Sequence, residues 1–265
     1  MFDLHVHTHH SCDASPTMAE MAEEALRRGL EGIAFSDHME WVPEDEATGY
    51  LKPDLYFAEL EATRARYGDQ LEILAGLEVG NSHQYLSEAR DFLKAWPWDY
   101  VLGSAHWADG LPMWQSVAFE DGMEVAYARY FREVAALAAE GEYDVLAHFD
   151  LVVRDSWALY QRTCPTEGYA ADIREALRAV VERGKGLEVN TSPMSKGLSE
   201  PSPSLMILRW YRELGGEILT FGSDAHRSPE VGQHFERARE LALAAGFERL
   251  ARFRERRQVG WTSLR

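Results

Sequence analysis

Six of the ten histidines of this chain stand where short apolar runs end, and most of those ends also carry a carboxylate. They lie in Asp3-Leu4-His5-Val6-His7, Ser36-Asp37-His38, Ser104-Ala105-His106, Ala147-His148 and Ser223-Asp224-Ala225-His226, and Leu77-Glu78 closes a further run. Imidazoles and carboxylates gathered at strand ends are the donors that hold Zn, Mn or Fe ions. His5 and His7 are two apart on a strand, so both rings face one side and are placed to chelate one ion. A polar edge strand with two solvent-facing histidines is the plain alternative. The D-x-H-x-H-T context, with Ser11 and Asp13 just beyond, speaks against it. Asp224 and His226 repeat the two-apart spacing.

Glu78 follows Ile73-Leu74-Ala75-Gly76-Leu77, where an unpaired carboxylate is costly to bury. A metal removes that cost, and a carboxylate can bridge two ions; a solvent-exposed loop glutamate is the alternative. His106 and His148, taken singly, read equally as hydrogen-bonded core histidines. Asp13 reads equally as a loop aspartate capping the next helix. Together, His5, His7, Asp13, His38, Glu78, His106, His148, Asp224 and His226 compete to hold metal. Ions in catalytic sites take about three or four protein ligands and keep a position for water. Nine donors with one bridging carboxylate therefore suit three divalent ions better than one or two.

The elements that must position these donors alternate along the chain. Strands are expected at 2–7, 31–36, 72–79, 99–105, 143–148, 186–191 and 217–223. Helices are expected at about 17–28, 54–67, 84–95, 120–140, 167–183 and 203–214, with a further helical stretch from 229 to about 257. Thr17-Met18-Ala19-Glu20 is a capping box, and Gly29, Gly68, Gly184 and Gly215-Gly216 read as left-handed helix ends. Strands alternating with helices imply a parallel sheet with helices outside it. An open doubly wound sheet is the competing arrangement. Donors come from nearly every strand, and only a closed ring brings all those C-terminal ends to one point. The expectation is a single α/β domain over 1–265, a seven-stranded TIM-like barrel one unit short. The longest breaks, 39–53 and 192–203, follow donor strands and so belong over the mouth.

A chain of 265 residues buries an ample core without staples. Cys12 and Cys164 are far apart, which fits free thiols in a reducing compartment. No apolar run approaches the roughly 20 residues that span a bilayer, and no basic, apolar leader precedes Phe2-Asp3-Leu4-His5. A cytoplasmic protein without a membrane partner is expected, as a monomer or small homo-oligomer. The net charge of -17 speaks against nucleic acid as partner, because phosphate backbones require Lys and Arg. It leaves room for a small anionic substrate, since divalent cations reverse the local field. His9, His10, His83 and His234 read as surface or loop residues. Of Trp96, Trp98, Trp107 and Trp114, the first two read as core and the last two as candidate pocket walls. Arg252-Phe253-Arg254-Glu255-Arg256-Arg257 reads as a charged helix face.

The chain resembles the polymerase and histidinol phosphatase (PHP) family of metal-dependent phosphoesterases. The resemblance rests on D-L-H-V-H-T (3–8), S-D-H (36–38), G-L-E (76–78), G-S-A-H (103–106), A-H-F-D (147–150) and G-S-D-A-H (222–226). Within the family it looks most like the histidinol-phosphatase branch, through H-S-C-D near the start, H-F-D-L-V-V-R (148–154) and E-V-N-T-S (188–192). The resemblance implies a distorted seven-stranded (β/α) barrel with three metals at its C-terminal mouth. By position it assigns His5, His7, Glu78 and Asp224 to one ion, and Glu78, His106 and His148 to a second. Asp13, His38 and His226 go to the third; many relatives carry histidine at the Asp13 position.

The chemistry such ions support is phosphate-ester hydrolysis by a bridging water that loses its proton near neutral pH, with Asp224, His226 and Glu78 at the reacting centre. Arg154, six residues past His148 and expected on a loop at the same barrel end, is the candidate fork for the phosphate dianion. Its alternative is a surface ion pair with Asp150 or Asp155. The branch usually has a second arginine after N-T-S, where this chain carries Lys196. Lys196 and Trp107 complete the expected substrate contacts. The leading expectation is hydrolysis of L-histidinol phosphate to L-histidinol and phosphate, in histidine biosynthesis. The alternatives are another small phosphate ester, a non-catalytic metal-binding module, or an amidohydrolase. The last commonly needs a carbamylated lysine, and no lysine stands at an expected strand end.

Overall fold

The computed structural model describes all residues 1–265. Seven parallel strands run in order around a nearly closed barrel: β1 (Phe2–Val6), β2 (Gly32–Phe35), β3 (Glu72–Gly80), β4 (Tyr100–Ser104), β5 (Val145–Leu146), β6 (Gly186–Asn190) and β7 (Leu219–Gly222). The seam between β7 and β1 is stitched by a Val6–Ala225 bridge and by backbone bonds from Asp224 to His5 (2.8 Å) and from His7 to Ala225 (2.9 Å). The expected strands all exist; Glu72–Gly80 is one residue longer than expected and the others are shorter.

The covering helices are α1 (Met18–Arg27), α2 (Pro53–Tyr67), α3 (Leu86–Ala95), α4 (Met123–Glu140), α5 (Leu151–Tyr160), α6 (Ala170–Glu182), α7 (Leu205–Glu213) and α8 (Phe235–Ala244). α6 shows the amphipathic pattern plainly, burying the stripe Ile173, Ala176, Leu177 and Val180. The Thr17–Glu20 capping box forms as read. Gly29, Gly184 and Gly215 take positive φ, whereas Gly68 follows α2 in the right-handed region. No helix is long and apolar enough to cross a membrane. Cys12 and Cys164 are free thiols.

Three expectations fail. Residues 151–160 form α5, so Arg154 is on a helix and not a loop. The buried face of α5 mixes Leu151 and Val152 with Asp155 and Ser156, and those polar residues hid its stripe. The stretch 229–257 is not one helix. After α8 the chain turns at Gly246 and builds an antiparallel hairpin, β8 (Arg249–Arg254) and β9 (Arg257–Ser263). Arg252 to Arg257 is therefore a hairpin tip and not a helix face; Glu255 and Arg256 both take positive φ without the glycine or asparagine that usually announces such a turn. His10 and His83 lie in turns, as read, although their side chains are largely covered, each 8% exposed.

Two apolar clusters divide the interior. The larger fills the space between sheet and helices. The smaller fills the barrel base with Phe2, Leu4, Leu74, Tyr100, Leu102 and Val145, closed by Ala251 and Phe253 of the hairpin. The other end is left to polar side chains.

Candidate metal centre

Side chains alternate along a strand, so Leu74 in the base places Glu78 on the inner face near the mouth, and Leu102 does the same for Ser104. Ser104 donates its hydroxyl to Glu78 Oε1. β1 needs a further device, because Phe2 and Leu4 already face inward. Its register against β2 slips by one residue between Asp3 and Val6. That bulge transfers the inner face to His5 and His7. Asp224, just past β7, sits at φ +56, a region rare for residues with a side chain. His38 extends a two-residue strand beside β3, in register with Glu78.

The mouth draws all nine expected donors into one constellation. His5 Nε2 lies 3.1 Å from His7 Nε2, 3.3 Å from Glu78 Oε2 and 3.7 Å from Asp224 Oδ1. His7 Nε2 is 3.5 Å from Glu78 Oε2 and 3.3 Å from Asp224 Oδ1. On the other oxygen of Glu78 stand His148 Nε2 at 2.8 Å and His106 Nε2 at 3.3 Å. Asp13 Oδ2 meets His226 Nε2 at 3.0 Å and His38 Nε2 at 3.5 Å, while His38 Nδ1 reaches Glu78 Oε2 at 3.0 Å. Asp13 thus faces the cluster; Thr17, not Asp13, caps the next helix.

These residues fit divalent ions on their own geometry. Four donors in a tetrahedron about 2.0–2.2 Å from a shared centre stand about 3.3–3.6 Å apart. Five of the six separations among His5, His7, Glu78 and Asp224 run from 3.1 to 3.7 Å, and His5, His7 and Asp224 form a mutually close trio. His38 Nδ1, 3.0 Å from Glu78 Oε2, is buried without a hydrogen-bond partner.

The electrostatics agree. Burial pushes Glu78 and Asp224 up, but the surrounding imidazoles, with Arg154 beside Asp224, hold both carboxyls well below their usual range. Burial lowers His106, yet Glu78 and Glu40 raise it to about 10. Burial lowers His5 and His38 too, and neighbouring carboxylates again overturn it. His7 is pushed down to about 3 by burial and by His226 and His38 beside it. Buried carboxylates this dense demand positive charge, from protons or from metal.

Three residues to which the sequence reading assigned no role at the site hold these donors in place. Glu188, buried on β6, takes His5 Nδ1 at 2.7 Å and the His148 backbone N–H at 2.9 Å. Gly222 is required opposite it, because a Cβ there would run into the Glu188 carboxylate and His5. Glu40 meets His106 Nδ1 at 2.6 Å. Asn81 accepts from the N–H groups of His106 (3.1 Å) and Trp107 (3.0 Å). A carboxylate behind a histidine fixes its tautomer and turns the other nitrogen toward an ion. Two signals were available: Glu188 is the lone charge inside an apolar strand, and Glu40 repeats the two-apart spacing after His38.

The expected substrate contacts divide. From α5, Arg154 Nη1 reaches Asp224 Oδ2 (2.7 Å) and Ser192 Oγ (3.3 Å), while its Nε pairs with Asp155 (3.2 Å). It stands at the rim of the mouth and not on the open surface. The Lys196 side chain is exposed, and its ammonium is held below its usual range chiefly by the positive charge of Arg154. Trp107 is buried with its indole N–H given to Asp45 Oδ2 (2.6 Å), and Trp114 stands edge-on to it at 5.4 Å. Both breaks, 39–53 and 192–203, reach the mouth through Glu40 and Ser192.

Known proteins share this frame. The chain is 28% identical over 257 residues to a histidinol-phosphatase of Lactococcus lactis, covering 95% of this chain and 93% of that protein. It is 30% identical over 263 residues to a probable histidinol-phosphatase of Deinococcus radiodurans, covering 96% and 97%. Its structure superposes with a TM-score of 0.83 and 25% identity on histidinol phosphate phosphatase from Lactococcus lactis, complexed with zinc, L-histidinol and phosphate, over 98% of each chain. The PHP domain model matches residues 3–192, a span that runs from the His5–His7 strand to the Ser192 turn, and on that match the chain belongs to the PHP domain family.

Proposed function

We infer that this chain is a metal-dependent phosphoric monoester hydrolase that converts L-histidinol phosphate and water to L-histidinol and phosphate. The observation that carries the reading is the mouth itself. Nine imidazole and carboxylate donors converge there, with Arg154 at their rim, on a barrel similar throughout to one that binds zinc, L-histidinol and phosphate.

The donor set supports three divalent ions: His5, His7, Glu78 and Asp224 for one, Glu78, His106 and His148 for another, Asp13, His38 and His226 for the third. Zn, Fe and Mn all accept such donors. When bound, they supply a Lewis acid for the phosphate oxygens and activation of the attacking water. Glu78 offers one oxygen to each of two donor groups and so sets their spacing. Asp224 orients Arg154, whose guanidinium matches the phosphate dianion. Lys196, already crowded by Arg154, gains when an anion enters between them. His226 turns Nε2 toward Asp13 while its Nδ1 bonds the Asp224 carbonyl (2.9 Å), which orients the ring as a ligand.

Lys196 favours a second reading, the same catalyst acting on another small phosphate ester, because a point charge discriminates less than an arginine fork. Phosphate release from L-histidinol phosphate, sugar phosphates, nucleotides and p-nitrophenyl phosphate, with Zn, Fe or Mn supplied, separates the two. A kcat/KM for histidinol phosphate at least 100-fold above that for p-nitrophenyl phosphate is expected, roughly 3 kcal/mol of transition-state preference. Equal values would move the assignment to the second reading.

A further inference from the structure

Outside the mouth, a second group of metal-type donors lies on the flank of the barrel: His9, His10 and Glu59. It shares no residue with the mouth groups. His9 and His10 are sequence neighbours, and neighbouring side chains ordinarily diverge. Here the chain turns, with His9 N–H bonded to Pro16 O (2.8 Å) and Ser11 N–H to Thr8 O (2.9 Å). The two imidazoles come together with centroids 4.4 Å apart. Their Nε2 atoms stand 3.0 and 2.9 Å from the same oxygen, Glu59 Oε2. The other oxygen, Oε1, accepts the first backbone N–H of α1, from Met18, at 2.9 Å. That bond fixes the carboxylate with Oε2 facing the rings.

We propose that His9, His10 and Glu59 form an auxiliary cation site of the zinc type, which ties the turn after β1 to α2. Two imidazoles and one carboxylate are borderline donors that suit Zn²⁺ and lack the oxygen-rich shell of Ca²⁺ or Mg²⁺. Three protein donors leave one tetrahedral position for water. The site has a side open to it, since the His9 side chain is 40% exposed while His10 is buried against the Tyr56 ring. The turn that such an ion clamps also carries Ser11 and Asp13, which touch His7 and His226. An ion here therefore stiffens one wall of the mouth without entering it.

The test uses the full chain, saturated at the mouth and then equilibrated with Zn²⁺. Diffraction data collected at the zinc edge should show an anomalous peak between the three donors, apart from those in the mouth. Glu59→Gln should lose that peak and a single equivalent of bound zinc, while keeping the mouth ions and its kcat. His9→Gln, at an exposed position, should lose the same equivalent and guards against misfolding of the first variant. Zinc should raise the melting temperature of the wild-type protein further than that of either variant. Equal zinc content in wild type and both variants, or mouth peaks without a flank peak, would overturn the proposal. The three side chains would then be two imidazole N–H groups donating to one carboxylate.

Discussion

The two ends of the barrel solve the same electrostatic problem in opposite ways. At the base, buried carboxylates meet arginines. Asp99 accepts from Arg64 (2.7 Å) and Arg254 (3.4 Å), and Asp144 from Arg256 at 3.1 and 3.2 Å. Glu72 holds Arg252 and Arg254. Guanidinium never gives up its proton in this setting, so the base is neutralised by the chain alone at any working pH. At the mouth, Glu78 is equally buried but faces a ring of imidazoles, and Asp224 turns one oxygen to imidazoles and the other to Arg154; imidazoles surrender their protons to a metal. Permanent partners make a closure, and titratable partners make a site.

The comparison breaks most visibly at Asp224. Asp224→Asn should lower kcat/KM about 10³-fold and strip metal, because a donor and the partner of Arg154 go together. The metal-free variant should also melt below the metal-free parent, since buried Arg154 loses its charged partner. Unchanged turnover with lost metal would defeat the mechanism. Next in size is Glu188→Gln, read by zinc titration. Loss of the negative charge behind His5 should weaken metal affinity about 10- to 100-fold with little change in fold. Wild-type affinity would show that Glu188 serves the barrel and not the site.

At the base, Asp99→Ala should cost about 2–3 kcal/mol in urea unfolding, since two arginines and the N–H groups of Ala75 and Glu255 lose their acceptor. Its kcat/KM below the melting transition should stay within about twofold of wild type. A drop like that of Asp224→Asn would join the two ends into one functional unit. The remaining test is of pH. In the metal-free chain, His5, His38, His106 and His226 are all raised by carboxylates, so they hold protons that an ion must displace. Zinc affinity should therefore rise with pH, by about tenfold per pH unit for each proton released, and calorimetry in buffers of different ionisation heat should count those protons. No proton release at pH 7 would mean the mouth is neutralised without them.

The residues most legible in the sequence were those whose chemistry has few other uses. His5, His7, Glu78 and Asp224 end apolar runs where an unpaired polar group is expensive, and all four converge. The seven strands were legible for a related reason, as apolar runs bounded by turns. Glu188 and Glu40 escaped because a carboxylate that supports a ligand looks, along the chain, like any other buried acid. The hairpin escaped because Arg and Glu are strong helix formers, and nothing local outweighs that preference until Ala251 and Phe253 find the open base of the barrel.

The sequence by itself determined the inventory: which donors exist, at which strand ends, and that a parallel ring must gather them. Periodicity and spacing carry that information because they are properties of the chain. Which way each donor points was decided only by the tertiary structure. The bulge in β1 that turns His5 and His7 inward exists to reconcile a packed base with a polar mouth, and it appears only when β1 is paired with β2. The left-handed backbone of Asp224, the helix under Arg154 and the carboxylates behind His5 and His106 belong to the same class. Each is set by contacts between residues far apart in sequence, where local preference has no say.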